Sequence, residues 1–114
     1  MLFRSHFAIA HIPGEGHGNL KIAAAQAADE MLSVDGAKAS FTLFTDKNGN
    51  TNISGRSYGE VNVQLILEKF KTGGGHLTMA GALAEKTDVI TAKEQLQEYI
   101  DEYLAEALPN QPLK

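Results

Sequence analysis

Lys38-Ala39-Ser40-Phe41-Thr42-Leu43-Phe44-Thr45-Asp46, Lys47-Asn48-Gly49-Asn50 and Thr51-Asn52-Ile53-Ser54-Gly55-Arg56-Ser57 follow one another without a break. An Asn-Gly pair between two such runs is a strong short-range hairpin signal, because both residues tolerate positive φ. The stretch therefore predicts two antiparallel strands, Lys38–Asp46 and Thr51–Ser57, joined by a tight turn. Upstream, Phe7–Ile12 is short and apolar. Its alternating faces, Phe7, Ile9 and His11 against Ala8, Ala10 and Ile12, are both mostly non-polar, which predicts a strand covered on both sides. Between these strands, Pro13-Gly14-Glu15-Gly16-His17-Gly18 reads as a loop. Leu20, Ala23, Ala24, Ala27, Ala28, Met31 and Leu32 then recur at helical intervals, with Gly36 placed to end that helix in a left-handed conformation.

Downstream, Val63, Ile66, Leu67 and Phe70 form a second helical stripe, which stops at Lys71-Thr72-Gly73-Gly74-Gly75-His76. Leu77–Glu85 fits a short helix or a strand, with Ala80–Glu85 the better strand. Thr91-Ala92-Lys93-Glu94 has the form of a capping box, and Leu96, Tyr99, Ile100, Tyr103, Leu104 and Leu108 supply the stripe behind it, up to Pro109. The order β-α-β-β-α-β-α implies a single α/β domain over residues 1–114, a mixed sheet of about four to five strands packed with helices.

Composition narrows the function. The 114 residues carry 10 Lys plus Arg against 14 Asp plus Glu, a formal charge of −4, and 43% are hydrophobic, as in an ordinary globular core. There is no cysteine, so disulfides, thiolate zinc sites and cysteine nucleophiles are excluded. The longest apolar runs, Phe7–Ala10 and Ile22–Ala25, are too short to span a bilayer, and Met1–His6 lacks the pattern of a signal peptide. An acidic total argues against gripping long nucleic acid by its phosphates. A small anion remains open, since one local cluster of donors can hold it.

Three glycines before His76 leave the backbone bare, so N–H groups can converge on an anion beside an imidazole that can donate or accept a proton. Alone, such a run reads as a flexible turn. Arg56 leaves its strand on the face opposite Ile53, with Ser57 beside it at the strand end; a guanidinium can clamp phosphate with two prongs and a hydroxyl can add a donor. Alone, Arg56 reads as a solvated arginine. Gly14-Glu15-Gly16-His17-Gly18 lacks the third glycine of a dinucleotide fingerprint, which Asn19 replaces. Asp46, Asn48 and Asn50 imitate a calcium loop, but Thr51 and Ser57 stand where that loop needs glycine and glutamate. His6 and His11 would face opposite sides of an extended strand, and His11, Glu15 and His17 fit structural or exposed roles better than a metal site.

Taken in order, Ile53-Ser54-Gly55-Arg56-Ser57, Gly59-Glu60-Val61-Asn62-Val63-Gln64 and Gly73-Gly74-Gly75-His76-Leu77-Thr78-Met79-Ala80-Gly81-Ala82 carry more information than any one alone. Together they resemble the C-terminal associated domain of DHH-family phosphoesterases, and within that family its cyclic-di-AMP phosphodiesterases. The similarity extends upstream through Ala27–Leu32 and downstream through Lys93–Glu106. The resemblance implies that the chain is the substrate-binding part of a longer phosphodiesterase that hydrolyses cyclic di-AMP to linear pApA. It implies two Mn2+ held by Asp and His ligands of a separate DHH domain, since no Asp-His-His motif occurs here. Arg56 and Ser57 would hold substrate phosphate, Gly73, Gly74 and Gly75 would offer backbone donors, and His76 would contact the phosphate or its bridging oxygen. Asn62 and Thr78 match the wider motif. The implied partners are a cyclic dinucleotide or short oligonucleotide, the DHH domain of the same parent chain, and a second copy in a homodimer. The parent would be anchored in the cell membrane with this soluble piece on the cytoplasmic side. Relatives acting on short oligoribonucleotides or 3′-phosphoadenosine compounds share the glycine-His loop and form the alternative reading, beside a non-catalytic nucleotide-binding module. One departure stands out: Lys71-Thr72 leads into three glycines, where these enzymes more often carry four directly after the helix.

Overall fold

The computed structural model describes residues 2–4, 6–12, 20–33 and 36–107. The elements run β1 (Leu2–Arg4), β2 (Phe7–His11), α1 (Leu20–Leu32), β3 (Ala39–Thr45), β4 (Thr51–Ser57), α2 (Val63–Leu67), β5 (Gly74–Gly75), β6 (Met79–Ala84) and α3 (Val89–Ala107). One six-stranded sheet contains all the strands, in the order β1-β2-β3-β4-β6-β5. Among the described residues only β2 and β3 pair in parallel, and α1 makes the crossover that such a pair requires. The sheet is thus mixed, as expected. Its two extra members are short: β1, and β5, in which two glycines of the predicted loop pair with β6.

Alternation along the strands sorts the layers. Phe7 and Ile9, Ala39, Phe41 and Leu43, and Ile53 turn to one face, where Val63, Ile66 and Leu67 of α2 and Ala92, Leu96, Ile100 and Leu104 of α3 complete the core. Phe7 stacks on Phe41 with centroids 6.3 Å apart, and Phe70 meets Tyr99 edge to face at 4.9 Å. Gly55 keeps this layer tight, since a Cβ there would sit 3.0 Å from Phe41 Cε1 and 3.2 Å from Leu67 Cδ1. On the other face lies α1, held by Ala24, Ala28 and Leu32; Ala23, expected in this stripe, is exposed. Buried Ser40 and Thr42 donate hydroxyls to Ala28 O at 2.5 Å and Ala24 O at 2.6 Å, closing α1 onto β3. Gly36 has φ +86°, in the connection beyond the helix end.

Three expectations change in detail. In the hairpin Gly49 is left-handed, at φ +82°, and Asn48 is not. Asp46 N donates to Asn50 O and Gly49 N to Asp46 O, so the turn is a three-residue loop with its glycine at the left-handed step. Helix α3 begins at Val89, three residues before the predicted capping box takes effect; Asp88 is the cap, its Oδ1 accepting from Thr91 N at 2.7 Å. His6 lies in the turn between β1 and β2 with φ +72°, so strand parity does not apply to it. The Pro13–Gly18 loop with Glu15 and His17, and the helix end at Leu108 and Pro109, lie outside the described residues.

Candidate functional site

The α1 side of the sheet is covered only in part. Helix α1 lies over β3 and β4, whereas Met79 and Gly81 of β6 are exposed on that side and Ala80 and Ala84 are buried on the other. The uncovered strip forms a hollow of about 590 Å³ whose lining includes Asn52, Ser54, Arg56, His76, Met79 and Leu83. Three cross-strand rows cross its floor. Phe44, Asn52 and Leu83 make the first; Ser54 and Gly81 the second; Arg56 and Met79 the third, with His76 paired beside Met79.

Arg56 is the charged end of that floor. Its side chain is only 12% exposed, and Nη1 donates to Gly55 O at 2.8 Å. Nε lies 3.2 Å from Asp29 Oδ1 of α1, close enough for an ion pair but not aligned as a hydrogen bond, and no other acceptor meets it. A buried guanidinium nitrogen without an aligned acceptor is costly, and the Asp29 carboxylate beside it is the charge placed to offset that cost.

The glycine segment is a hairpin arm. His76 N donates to Met79 O at 2.6 Å and Met79 N to His76 O at 3.3 Å, so this pair exchanges both bonds. In an antiparallel ladder the next pair, Gly75 with Ala80, exchanges none, which turns the Gly75 N–H outward from the sheet edge. Gly75 has φ +142°, and a Cβ on it would come within 2.5 Å of Ala80 Cα. A Cβ on Gly73 would fall 1.7 Å from Leu67 O, whereas Gly74 has nothing within 4 Å. Two of the glycines are therefore required by close backbone approach, and one of them also leaves a donor free beside His76. Thr72 leads into the segment by continuing the ladder: its hydroxyl donates to Leu83 O at 2.6 Å and accepts from Leu83 N at 3.0 Å.

The structure brings Arg56, Gly75 and His76 to one hollow. It does not bring Ser57 there. Successive strand residues face opposite sides, so Ser57 points into the core side, 6% exposed, where its hydroxyl donates to Val61 O at 2.7 Å and lies 3.2 Å from Leu77 O. Asn62 caps α2, accepting from Leu65 N, while its own N–H donates to Tyr103 Oη at 3.0 Å. Thr78 is exposed at the hairpin tip and gives its carbonyl to Ser57 N. Gly73 donates to Phe70 O, and Gly74 is a ladder residue facing Gly81. Sequence reasoning missed Asn52 and Ser54. Both share Arg56's parity on β4, and that signal could have found them.

A smaller hollow of about 420 Å³ lies between α3 and the end of β6, lined by Lys69, Lys71, Gln95 and Tyr99 among others. Lys69 is committed there to Glu102 at 3.1 Å and Glu106 at 3.5 Å; its hydrogen bond to Glu102 is the main cause that holds its pKa above the usual lysine value. Among the described residues no group of three or more His, Asp or Glu could hold a metal ion, and no helix is long and apolar enough to cross a membrane.

Residues 5–106 match the DHHA1 domain family. The cyclic-di-AMP phosphodiesterase GdpP of Bacillus subtilis (strain 168) is 41% identical over 104 residues, covering 90% of this chain and 16% of its own. The cyclic-di-AMP phosphodiesterase PdeA of Listeria monocytogenes is 44% identical over 82 residues, covering 72% of this chain and 12% of its own. The chain thus spans about a sixth or less of these relatives. Among solved structures, an exopolyphosphatase-related protein from Bacteroides fragilis superposes with a TM-score of 0.62 at 23% identity, over 87% of this chain and 31% of that one. RecJ from Thermus thermophilus superposes with a TM-score of 0.55 at 17% identity, over 90% of this chain and 15% of that one. These two show a shared fold.

Proposed function

The chain belongs to the DHHA1 domain family, and from that premise we propose that it is the substrate-binding domain of a phosphodiesterase that opens cyclic di-AMP to linear pApA. The observation that carries this reading is that Arg56, Gly75 and His76 all line one hollow. The names of the relatives, both cyclic-di-AMP phosphodiesterases, support the substrate.

In the proposed reaction a water oxygen adds to phosphorus, the bond to the ribose 3′ oxygen breaks, and the leaving oxygen takes a proton. Arg56 would hold the non-bridging oxygens through its terminal guanidinium nitrogens, with Nε left to Asp29. The Gly75 N–H would add a donor fixed by the ladder, and a donor fixed before reaction contributes about 3 kcal/mol where it meets developing charge. The His76 imidazole would donate to the same phosphate or to the bridging oxygen. Activating the water is work for a metal pair, and the described residues of this chain do not fit one. The two Mn2+ are proposed to sit on ligands of a DHH domain elsewhere in the parent chain. The parent is further proposed to be membrane-anchored, with this domain on the cytoplasmic side and a second copy as a dimer partner.

Titration of the 114-residue chain with cyclic di-AMP and pApA, followed by NMR, tests the reading. Arg56→Ala should weaken binding by about tenfold or more, as expected for loss of a charge-assisted contact, and Ser57→Ala should leave it unchanged. Equal loss in both variants, or in neither, would overturn the assignment. With manganese added, the chain alone should not hydrolyse either nucleotide.

A further inference from the structure

The three rows of the hollow's floor differ in chemistry along β4. The row holding Asn52 is walled by Phe44, 5% exposed, and by half-buried Leu83. In the middle row Gly81 carries no side chain and Ser54 carries only a small hydroxyl. The last row holds Arg56 beside Met79, with His76 across the hairpin. Asn52 and Arg56 are four residues apart on one strand, about 13 Å at the usual strand rise. A single nucleotide is shorter than that from phosphate to base edge, and the Arg56 and Asn52 side chains that line the same hollow make up the difference. The bare middle row leaves room for a sugar.

Asn52 is not free to turn. Its Nδ2 donates to Asp46 Oδ2 at 3.0 Å. The other carboxylate oxygen accepts from Asn48 N at 2.9 Å and Asn50 N at 3.1 Å. A carboxylate in this setting only accepts, so the amide nitrogen must face it and Oδ1 must face away. Burial pushes the Asp46 pKa up, but the hydrogen bonds from Asn52, Asn50 and Asn48 and the charge of Lys86 outweigh it and hold the group below its usual value. Flipping the amide would set Oδ1 against this carboxylate.

We infer that Asn52, pinned by Asp46, reads the base of the bound nucleotide as adenine. Its Oδ1 accepts from the N6 amino group and its remaining Nδ2 hydrogen goes to N7, a pairing that suits adenine. Guanine presents an acceptor at the same place as the N6 amino group and would face Oδ1 with a second acceptor. Asp46 is then a positioning residue: it does not touch the base but fixes which way the amide points. This inference rests on Arg56 and His76 holding phosphate in the same hollow.

The test is an NMR titration of the labelled chain with AMP, GMP, 7-deaza-AMP and ribose 5-phosphate. AMP should bind roughly five- to a hundredfold more tightly than GMP, the range for a good bidentate base contact, with shifts at Asn52. Asn52→Ala should erase the AMP preference and leave ribose 5-phosphate unchanged. Asp46→Asn should admit GMP without weakening AMP. 7-Deaza-AMP, which keeps the N6 amino group but lacks N7, should bind the unaltered chain more weakly than AMP, a readout that needs no variant to fold. Ribose 5-phosphate that shifts Arg56 and His76 while AMP, GMP and 7-deaza-AMP bind alike would overturn base reading and leave the phosphate site standing. No response of Arg56 and His76 to any of the four would overturn the phosphate site, and this inference with it.

Discussion

Neighbouring residues of one motif serve opposite sides of the sheet. Arg56 and Ser57 stand next to each other in the chain, yet strand pleating sends the guanidinium to the open hollow and the hydroxyl to the core side, against Val61 O and Leu77 O. Ser57→Ala should therefore destabilise the fold by about 1–3 kcal/mol, the cost of stranding buried polar partners, and urea unfolding would measure it. Arg56→Ala should move the urea midpoint less than Ser57→Ala does, since it loses the bond to Gly55 O and the Asp29 pair but also removes a buried Nε that has no aligned acceptor. The glycines divide in the same way. Gly75→Ala places a Cβ against Ala80 at φ +142°, and should cost about 2 kcal/mol or more. Gly74→Ala meets open space and should stay within about 0.5 kcal/mol of the parent. A reversed order in the unfolding curves would contradict the geometry. Much of this was legible beforehand as residue types, because the Arg-Ser pair and the glycine-His segment mark themselves. Which member of each pair faces the hollow was not, because the motif carries no parity. Asn52 and Ser54 went unnoticed for the complementary reason, having parity but no motif.

Among the elements, those with a repeating buried face match the expectation, α2 and β6 included, whereas the short edge strands β1 and β5 were not foreseen. α1, α3, β2 and the β3–β4 pair each bury a repeating face, and hydrophobic repetition is what a sequence displays most openly. β5 has two glycines and no side chain to repeat; it exists because β6 offers a ladder edge, a tertiary cause invisible in the local sequence. The start of α3 moved for a related reason. Both Asp88 and Thr91 suit a cap, and the earlier one prevails because Val89 and Ala92 can then enter the helix against the core. Hydrogen bonding from the backbone and then the hydroxyl of Thr91 holds the Asp88 pKa below its usual value. A carboxylate depressed in the folded state stabilises fully above its unfolded pKa of about 4, and the effect is lost as pH falls through the lower folded value. Asp88→Asn, which keeps a capping oxygen without a charge, should therefore flatten this acid-side loss in thermal melts between about pH 5 and about pH 2. An unchanged acid limb would remove Asp88 from its causes. Deeper in α3, Leu96→Ala should cost about 2–5 kcal/mol, because the side chain is fully buried in the cluster beneath β3.

The whole molecule is a sheet protected on one side and half-protected on the other. α2 and α3 close the first face; α1 covers only part of the second, and the remainder is the hollow that Arg56, Gly75 and His76 share. That asymmetry is the architectural basis of the proposed function, since a domain that lends donors to a substrate held elsewhere needs an uncovered strip with charge at one end. The central claim is that these three groups meet one oxyanion. It is tested most directly by titrating ribose 5-phosphate into the labelled chain while following the Gly75 amide, the His76 ring and Arg56 Nε. The account predicts that all three shift along a single saturation curve that Arg56→Ala abolishes. Shifts confined to Lys69 and Lys71 in the smaller hollow, or three signals with unrelated curves, would contradict it.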